Sequence, residues 1–169
     1  KIYTHFNQER NEIFFANKVL LVEGDSDKIC FATLCKEKWG LNLDRYGYSI
    51  IVCGGKSGVN YFVGVCKIIG QDDFLAVWDQ DDKTYKPERV DHLTQIKTSG
   101  NGLEIPENLE KFLGLPSSHP ADKVANAYSW ASNVTDDKIP NELLKIKSFF
   151  VGKTISEGKI IFKPKIDST

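Results

Sequence analysis

The apolar residues of this chain fall into short continuous runs, and several of these runs end on acidic residues. Residues 19–23 predict a strand, because residues 19–22 are all apolar, as is typical of a strand buried on both faces of a parallel sheet. This strand ends on Glu23. Residues 48–53 and 74–78 predict two more strands, and residues 103–105 predict a short fourth strand.

Helical spacing of apolar residues separates these runs. Gly24 turns the chain into a helix that is predicted to extend to about Trp39, before Gly40. A second helix is predicted from Gly58 to Gly70, because its apolar residues recur on one helical face. The alternation predicts an α/β fold, with a Rossmann-type, mainly parallel sheet of about four strands flanked by helices.

The second half of the chain has weaker patterns. Residues 82–101 carry charges, proline and turn residues, and we expect a loop with little regular structure there. Pro106 is predicted to lie in the first turn of a short helix. Residues 119–132 and 140–150 predict two further helices, and residues 160–162 predict a short strand.

These patterns divide the chain into three parts. We predict a core over residues 1–117, a small helical addition over residues 118–150, and a basic C-terminal segment over residues 151–169 that returns to the core. The chain starts at Lys1 and contains no methionine, which predicts an excised domain of a longer protein.

The composition is that of an ordinary globular protein, with 41% hydrophobic and 27% charged residues among 169. No apolar run approaches the ~20 residues of a membrane span. A net charge of −1 argues against a general nucleic-acid coat, although a bound cation would allow DNA binding. The four cysteines form no Cys-x-x-Cys pair, so we expect reduced core thiols in a cytoplasmic protein rather than a zinc site.

Acidic side chains follow two of the predicted strands. Glu23 ends the first strand, and Asp27 can face the same crevice from the first helical turn. Asp79 and Asp81 follow the third strand and point the same way in an extended segment. Carboxylates that meet at one sheet edge repel unless a cation lies among them, and oxygen ligands suit Mg²⁺ or Mn²⁺. The alternative is that Glu23 is a solvated strand end and that Asp81 and Asp82 only form a turn.

The segment GGKSG, residues 54–58, contains part of a phosphate-binding loop. The complete motif requires an earlier glycine where this chain has Ile50, so no ATP site is predicted. Lys56 is interpreted as a solvated loop lysine, with a phosphate contact as the alternative.

The motifs Glu23-Gly24 and Asp79-Gln80-Asp81 resemble the Toprim domain, the metal-binding α/β module of topoisomerases, primases, RecR-type repair proteins and OLD-family nucleases. Three segments are similar to the OLD (overcoming lysogenization defect) family in particular: residues 9–18 (ERNEIFFANK), 21–27 (LVEGDSD) and 103–113 (LEIPENLEKFL). The resemblance covers roughly residues 9–113 and implies a Toprim-like fold.

This resemblance implies a metal-dependent nuclease with a defined set of site residues. The implied ligands of two Mg²⁺ or Mn²⁺ ions are Glu23, Asp27, Asp79, Asp81 and Glu104. A lysine near the C-terminal end joins Glu23 and Asp79 in catalysis, and Lys163 is the best match, with Lys165 second. A solvated basic tail is the alternative. Glu107 and Glu110 are interpreted as helix-dipole or surface acids.

The resemblance also implies partners. These are DNA and an ABC-type ATPase domain of the same polypeptide, with a possible homo-oligomer through that domain and no membrane, in phage defence or DNA processing. Two metal ions roughly 4 Å apart can activate water and neutralise a phosphodiester, so hydrolysis is the expected reaction. The alternatives are a topoisomerase-, primase- or repair-type Toprim domain, and a non-catalytic module that binds metal and nucleic acid.

Overall fold

The computed structural model describes residues 7–80, 85–87, 90–116, 119–152, 154–156 and 159–161, and a four-stranded parallel sheet lies at its centre. The strands are β1 (Lys18–Val22), β2 (Tyr48–Val52), β3 (Phe74–Asp79) and β4 (Gly102–Ile105). Their order in the sheet is β2-β1-β3-β4, and every neighbouring pair is parallel. The predicted α/β fold class is therefore confirmed, with strand bounds close to those predicted.

Helices cover both faces of the sheet. One face carries α1 (Asp25–Thr33), α5 (Pro120–Asn133) and α6 (Leu144–Val151), and the other carries α2 (Lys56–Ile69) and α3 (His92–Ile96). The short helix α4 (Leu109–Phe112) follows β4. Strand residues alternate between the faces: Leu20 packs into the first core, whereas Leu21 packs into the second. Residues 19–22 of β1 are thus buried on both faces of the sheet, as their unbroken apolar run predicts.

The helix after Gly24 has two parts. The α-helix ends at Thr33, and a π-helical turn over Leu34–Lys38 continues almost to the predicted end at Trp39. A 3-10 helix over Arg10–Phe14 precedes β1. All four cysteines are buried and free, which confirms the prediction of reduced core thiols.

The prediction of little regular structure over residues 82–101 is wrong, because α3 lies within that range. Asp91 caps this helix by accepting a hydrogen bond from the Thr94 N–H at 3.0 Å. Leu93 and Ile96 are buried in the core beneath α2, so tertiary packing stabilises a helix that is too short to form alone.

Pro106 does not lie in the first turn of a helix, since α4 begins at Leu109 after the cap Asn108. The Asn108 side chain accepts the Lys111 N–H at 3.0 Å, so the cap rather than the proline sets the start of the helix.

The helical addition shares the main core. Ala127 and Ala131 of α5 and Ile146 of α6 are completely buried in the same cluster as Leu20. The predicted boundaries at residues 117 and 150 stay predictions. Beyond α6, β5 (Thr154–Ser156) and β6 (Lys159–Ile161) form a separate antiparallel pair.

Among the described residues, no helix is both long enough and apolar enough to span a membrane.

Candidate active site

The ends of β1 and β3 bring two predicted site residues together. These strands are neighbours in the sheet, so Glu23, which follows β1, lies beside Asp79, the last residue of β3. The Asp79 backbone N–H donates a hydrogen bond of 2.7 Å to Glu23 Oε1. Residues that are far apart in sequence therefore meet at the carboxyl edge of the sheet, where open α/β folds bind their ligands.

Asp27 joins this pair from the first turn of α1. Its Oδ2 accepts the Gly24 N–H at 2.8 Å, which holds the carboxylate over the strand-to-helix turn. Burial raises the pKa of Asp27 from 3.8 to about 7, with smaller contributions from the negative charges of Glu23 and Glu110. Hydrogen bonds from the Gly24 and Glu23 backbone act in the opposite direction but do not outweigh burial.

Asp79 has the same kind of environment. Burial raises the pKa of Asp79 from 3.8 to about 8, and the charges of Asp27, Glu23 and Glu110 add to this effect. A hydrogen bond from the Leu109 backbone opposes the shift. Asp27 and Asp79 are therefore electrostatically coupled, and both retain protons near neutral pH unless a cation neutralises them.

Glu110 is a member of this acidic cluster that the sequence analysis assigned to the surface. It lies on α4, forms an ion pair with Lys123 of α5 at 3.1 Å, and raises the pKa of both Asp27 and Asp79. The turn after β4 brings the start of α4 to the same sheet edge. The acid-rich segment after the fourth strand was the available signal, but the direction of the Glu110 side chain depends on tertiary packing.

The structure does not bring Glu104 together with these acids. Glu104 pairs with Trp78 across β3 and β4, and its Oε1 accepts the Trp78 indole N–H at 3.2 Å. Successive strand residues face opposite sides of a sheet, so this side chain lies on the face opposite to Asp79. Burial raises the pKa of Glu104, but the Lys97 ion pair and the Trp78 hydrogen bond lower it below its ordinary value. Its role as a metal ligand stays a prediction.

Lys56 is not the solvated loop lysine that the sequence analysis describes. The residue is only 7% exposed, and its Nζ donates a hydrogen bond of 2.9 Å to the Asp79 main-chain oxygen. The ammonium also lies 5.2 Å from the centre of the Tyr85 ring.

The glycines around Lys56 explain this position. Gly54 and Gly55 have φ values of 82° and 94°, which favour glycine and turn the chain sharply from β2 into α2. A Cβ on Gly58 would lie 2.1 Å from the Cys53 carbonyl oxygen, so a glycine is needed where the helix meets the strand end.

Two other predicted site residues, Asp81 and Lys163, lie outside the described residues, as do Asp82 and Lys165. In the part of the chain that the structure describes, no three His, Cys, Asp or Glu side chains are grouped closely enough to hold a metal ion. The Glu23, Asp27 and Asp79 carboxylates nevertheless suit a hard divalent cation, because they are oxygen donors and because the pKa values of Asp27 and Asp79 are raised.

A parallel α/β sheet with Glu-Gly after one strand and an aspartate at the end of its neighbour defines a Toprim-type domain. Residues 14–81 match the family model of the overcoming lysogenization defect protein-like TOPRIM domain. Residues 14–81 are therefore similar to the Toprim domain of the OLD family.

Similar proteins agree with this assignment. The OLD nuclease of Thermus scotoductus is 36% identical over 81 residues, which are 48% of this chain and 15% of that protein. The chain therefore spans only 15% of that relative's length, and the similarity supports a nuclease-type Toprim domain without extending to the whole protein.

Two solved structures of the C-terminal region of the Xanthomonas campestris pv. campestris OLD protein share the fold. The structure phased with platinum has a TM-score of 0.55 at 18% identity, covering 82% of this chain and 93% of that chain. The structure phased with mercury has a TM-score of 0.57 at 16% identity, covering 80% and 95%.

Proposed function

We propose that this chain is the catalytic domain of a divalent-metal-dependent DNA endonuclease that hydrolyses phosphodiester bonds. The observation that carries the proposal is the meeting of Glu23, Asp27 and Asp79 at one sheet edge, where burial and mutual repulsion raise two of their pKa values. The OLD-family Toprim assignment and the nuclease relative support the same conclusion.

Glu23, Asp27 and Asp79 are the proposed metal-holding side chains, and Asp81 and Glu104 are proposed to complete the set. Toprim domains generally bind divalent metal ions, and two Mg²⁺ or Mn²⁺ ions would supply an activated water and neutralise the charge on the phosphodiester. Retained protons on Asp27 and Asp79 must leave before these carboxylates bind a cation, so we expect tighter metal binding as the pH rises through about 7.

The resemblance to the OLD family also motivates proposals about a further residue, the substrate and a partner domain. We propose that Lys163 stabilises negative charge at the scissile phosphate, and that DNA is the substrate. We also propose that an ABC-type ATPase domain belongs to the same polypeptide and that a homo-oligomer assembles through that domain.

The test is metal-dependent cleavage of supercoiled plasmid by the chain in Mg²⁺, in Mn²⁺ and in EDTA. We expect nicking with metal and none in EDTA, with losses of at least about a hundredfold in Glu23→Ala and Asp79→Ala. The matched control is Asp25→Asn, because Asp25 is an exposed acid in the first turn of α1, beside the cluster.

Each alternative has its own outcome. Relaxed plasmid with resealed strands would support a topoisomerase-type Toprim domain instead. DNA and metal binding without any cleavage, including when the chain is joined to its ATPase domain, would support the non-catalytic module.

A further inference from the structure

A closed set of hydrogen bonds joins the ends of β1, β2 and β3. The Glu23 main-chain oxygen accepts the Gly54 and Gly55 N–H groups at 3.0 and 2.9 Å, which fixes the turn before α2. That turn places Lys56, whose Nζ reaches the Asp79 main-chain oxygen. The circuit closes where the Asp79 N–H donates to the Glu23 side chain.

The Asp79 backbone is consequently held on both sides by charged side chains. Glu23 accepts from its N–H at 2.7 Å, and Lys56 donates to its carbonyl oxygen at 2.9 Å. Hydrogen bonds to ionised groups are roughly twice as strong as neutral ones, so together they fix the end of β3 more firmly than strand pairing alone.

This restraint acts against a specific force. The Asp79 carboxyl group lies among like-charged groups, since Asp27, Glu23 and Glu110 all act on it electrostatically. When these groups are ionised, as they must be to bind a cation, repulsion between them favours movement of the strand end away from β1 and α1. A restraint on the Asp79 peptide opposes this movement without adding any group to the side of the carboxylates.

The surroundings of Lys56 indicate that its buried ammonium group has a structural role. Burying an ammonium group is costly unless other groups compensate its charge. Here the Asp79 carbonyl, the face of Tyr85 and the nearby charge of Glu104, whose pKa Lys56 helps to lower, provide compensation. A lysine whose ammonium group stayed in solvent would not carry this desolvation cost.

We propose that Lys56 is a positioning residue that holds Asp79 beside Glu23 and so prepares the acidic cluster to bind a divalent cation. This inference rests on the proposed function, and it adds a residue that touches neither the metal nor the DNA. Outer partners that orient metal ligands typically contribute about 10- to 100-fold to affinity. We therefore expect Lys56→Met to weaken Mn²⁺ binding at least about tenfold.

The first test measures Mn²⁺ affinity directly, from the electron paramagnetic resonance signal of free Mn²⁺ in titrations of the 169-residue chain. Lys145→Met is the matched control, because Lys145 Nζ also donates to main-chain oxygens, those of Ser99 and Gly102, at the opposite end of β4. We expect the control to retain wild-type affinity. Lys56→Arg, which keeps a charged donor, should recover part of the loss.

The second test is plasmid nicking as a function of Mn²⁺ concentration. A positioning role predicts that Lys56→Met needs at least about tenfold more Mn²⁺ for half-maximal rate but regains most of the rate at saturation. A rate that stays low at saturating Mn²⁺ would contradict positioning and indicate contact with the substrate. Wild-type Mn²⁺ dependence in Lys56→Met would overturn the proposal.

The third test is independent of metal and separates this inference from the proposed function. Amide hydrogen exchange of the metal-free chain should be about tenfold faster at Asp79 in Lys56→Met and unchanged there in Lys145→Met. If the wild-type chain neither binds Mn²⁺ nor nicks DNA, the proposed function fails while this measurement still reports on Lys56. Unchanged exchange at Asp79, in Lys56→Met or in the milder Lys56→Gln if the first variant unfolds, would overturn the positioning role.

Discussion

We expect the acids at the sheet edge to make the metal-free protein less stable as the pH rises. The folded protein raises the pKa of Asp27 to about 7 and that of Asp79 to about 8. In the unfolded chain both return to about 3.9. Between about pH 4 and pH 7 the folded state therefore binds protons that the unfolded state has released, and the free energy of unfolding falls as the pH rises.

The size of this effect follows from the number of protons retained. One proton held by the folded state alone changes the free energy of unfolding by about 1.4 kcal/mol per pH unit. The charge of Asp27 contributes to the raised pKa of Asp79, so we count one retained proton as the minimum. From about pH 5 to pH 7 this gives a loss of about 2–3 kcal/mol. For a domain of this size, that corresponds to a decrease in Tm of roughly 5–10 °C.

Thermal unfolding in EDTA, followed by circular dichroism across this pH range, measures the effect. Asp79→Asn keeps the shape of a protonated carboxyl group but cannot ionise, so the variant should lose most of the decrease and be more stable than wild type near pH 7. Asp25→Asn removes an equal charge from the same helical turn and should leave the slope unchanged. Mn²⁺ at about 100 times its Kd should restore about 2.7 kcal/mol near neutral pH.

Two results would refute this reasoning. One is a wild-type Tm that rises from pH 5 to pH 7 in EDTA, since it would mean that neither carboxyl group retains a proton in the folded state. The other is an equal change of slope in Asp79→Asn and Asp25→Asn, since the effect would then reflect net charge rather than the acidic cluster.

Three further predictions test the surroundings of the site. Glu110→Gln should lower the pKa of Asp27 and of Asp79 and so reduce the pH slope of Tm, whereas Glu107→Gln on the neighbouring turn should not. Equal slopes in the two variants would contradict this prediction. Gly58→Ala should destabilise the fold by about 1–3 kcal/mol or more in urea unfolding, because the new Cβ would meet the Cys53 carbonyl oxygen. Gly100→Ala should be nearly neutral in the same measurement, because the space around Gly100 is open. All four cysteines are buried, so an aromatic disulfide reagent should label them slowly in the folded protein and rapidly in urea; rapid labelling of the folded chain would contradict their burial.

The sheet could be predicted from sequence because its strands are buried on both faces. An unbroken apolar run between a turn and an acid leaves few alternatives to a central parallel strand, which is why the runs before Glu23 and at Asp79 were assigned correctly. The sequence does not predict helix α3, because tertiary contacts rather than a sequence pattern stabilise it. Its five residues carry too little periodicity, and its stability comes from the Asp91 cap and from contacts with α2.

The candidate site was only partly predictable because strand position does not fix side-chain direction. Glu23 and Asp79 lie at strand ends in adjacent strands, so their meeting follows from topology. Glu104 also lies near a strand end, but its register opposite Trp78 turns its side chain to the other face of the sheet. A difference of one residue in strand register moves a side chain to the opposite face of the sheet. The amino-acid sequence near Glu104 does not reveal this register.

The hydrogen bonds within the cluster indicate how the same residues can be stable both with and without a cation. Glu23, Asp27 and Asp79 each accept a hydrogen bond from a backbone N–H group. An ionised carboxylate has two oxygens and about four acceptor sites, so a bond to a backbone N–H is compatible with a bond to a metal ion. The backbone donors hold the carboxylates in place, and protons on Asp27 and Asp79 neutralise these two groups in the absence of metal. Under the proposed function, exchange of those protons for a divalent cation would require little rearrangement of the sheet edge, because Lys56 and Glu23 hold the end of β3 in position.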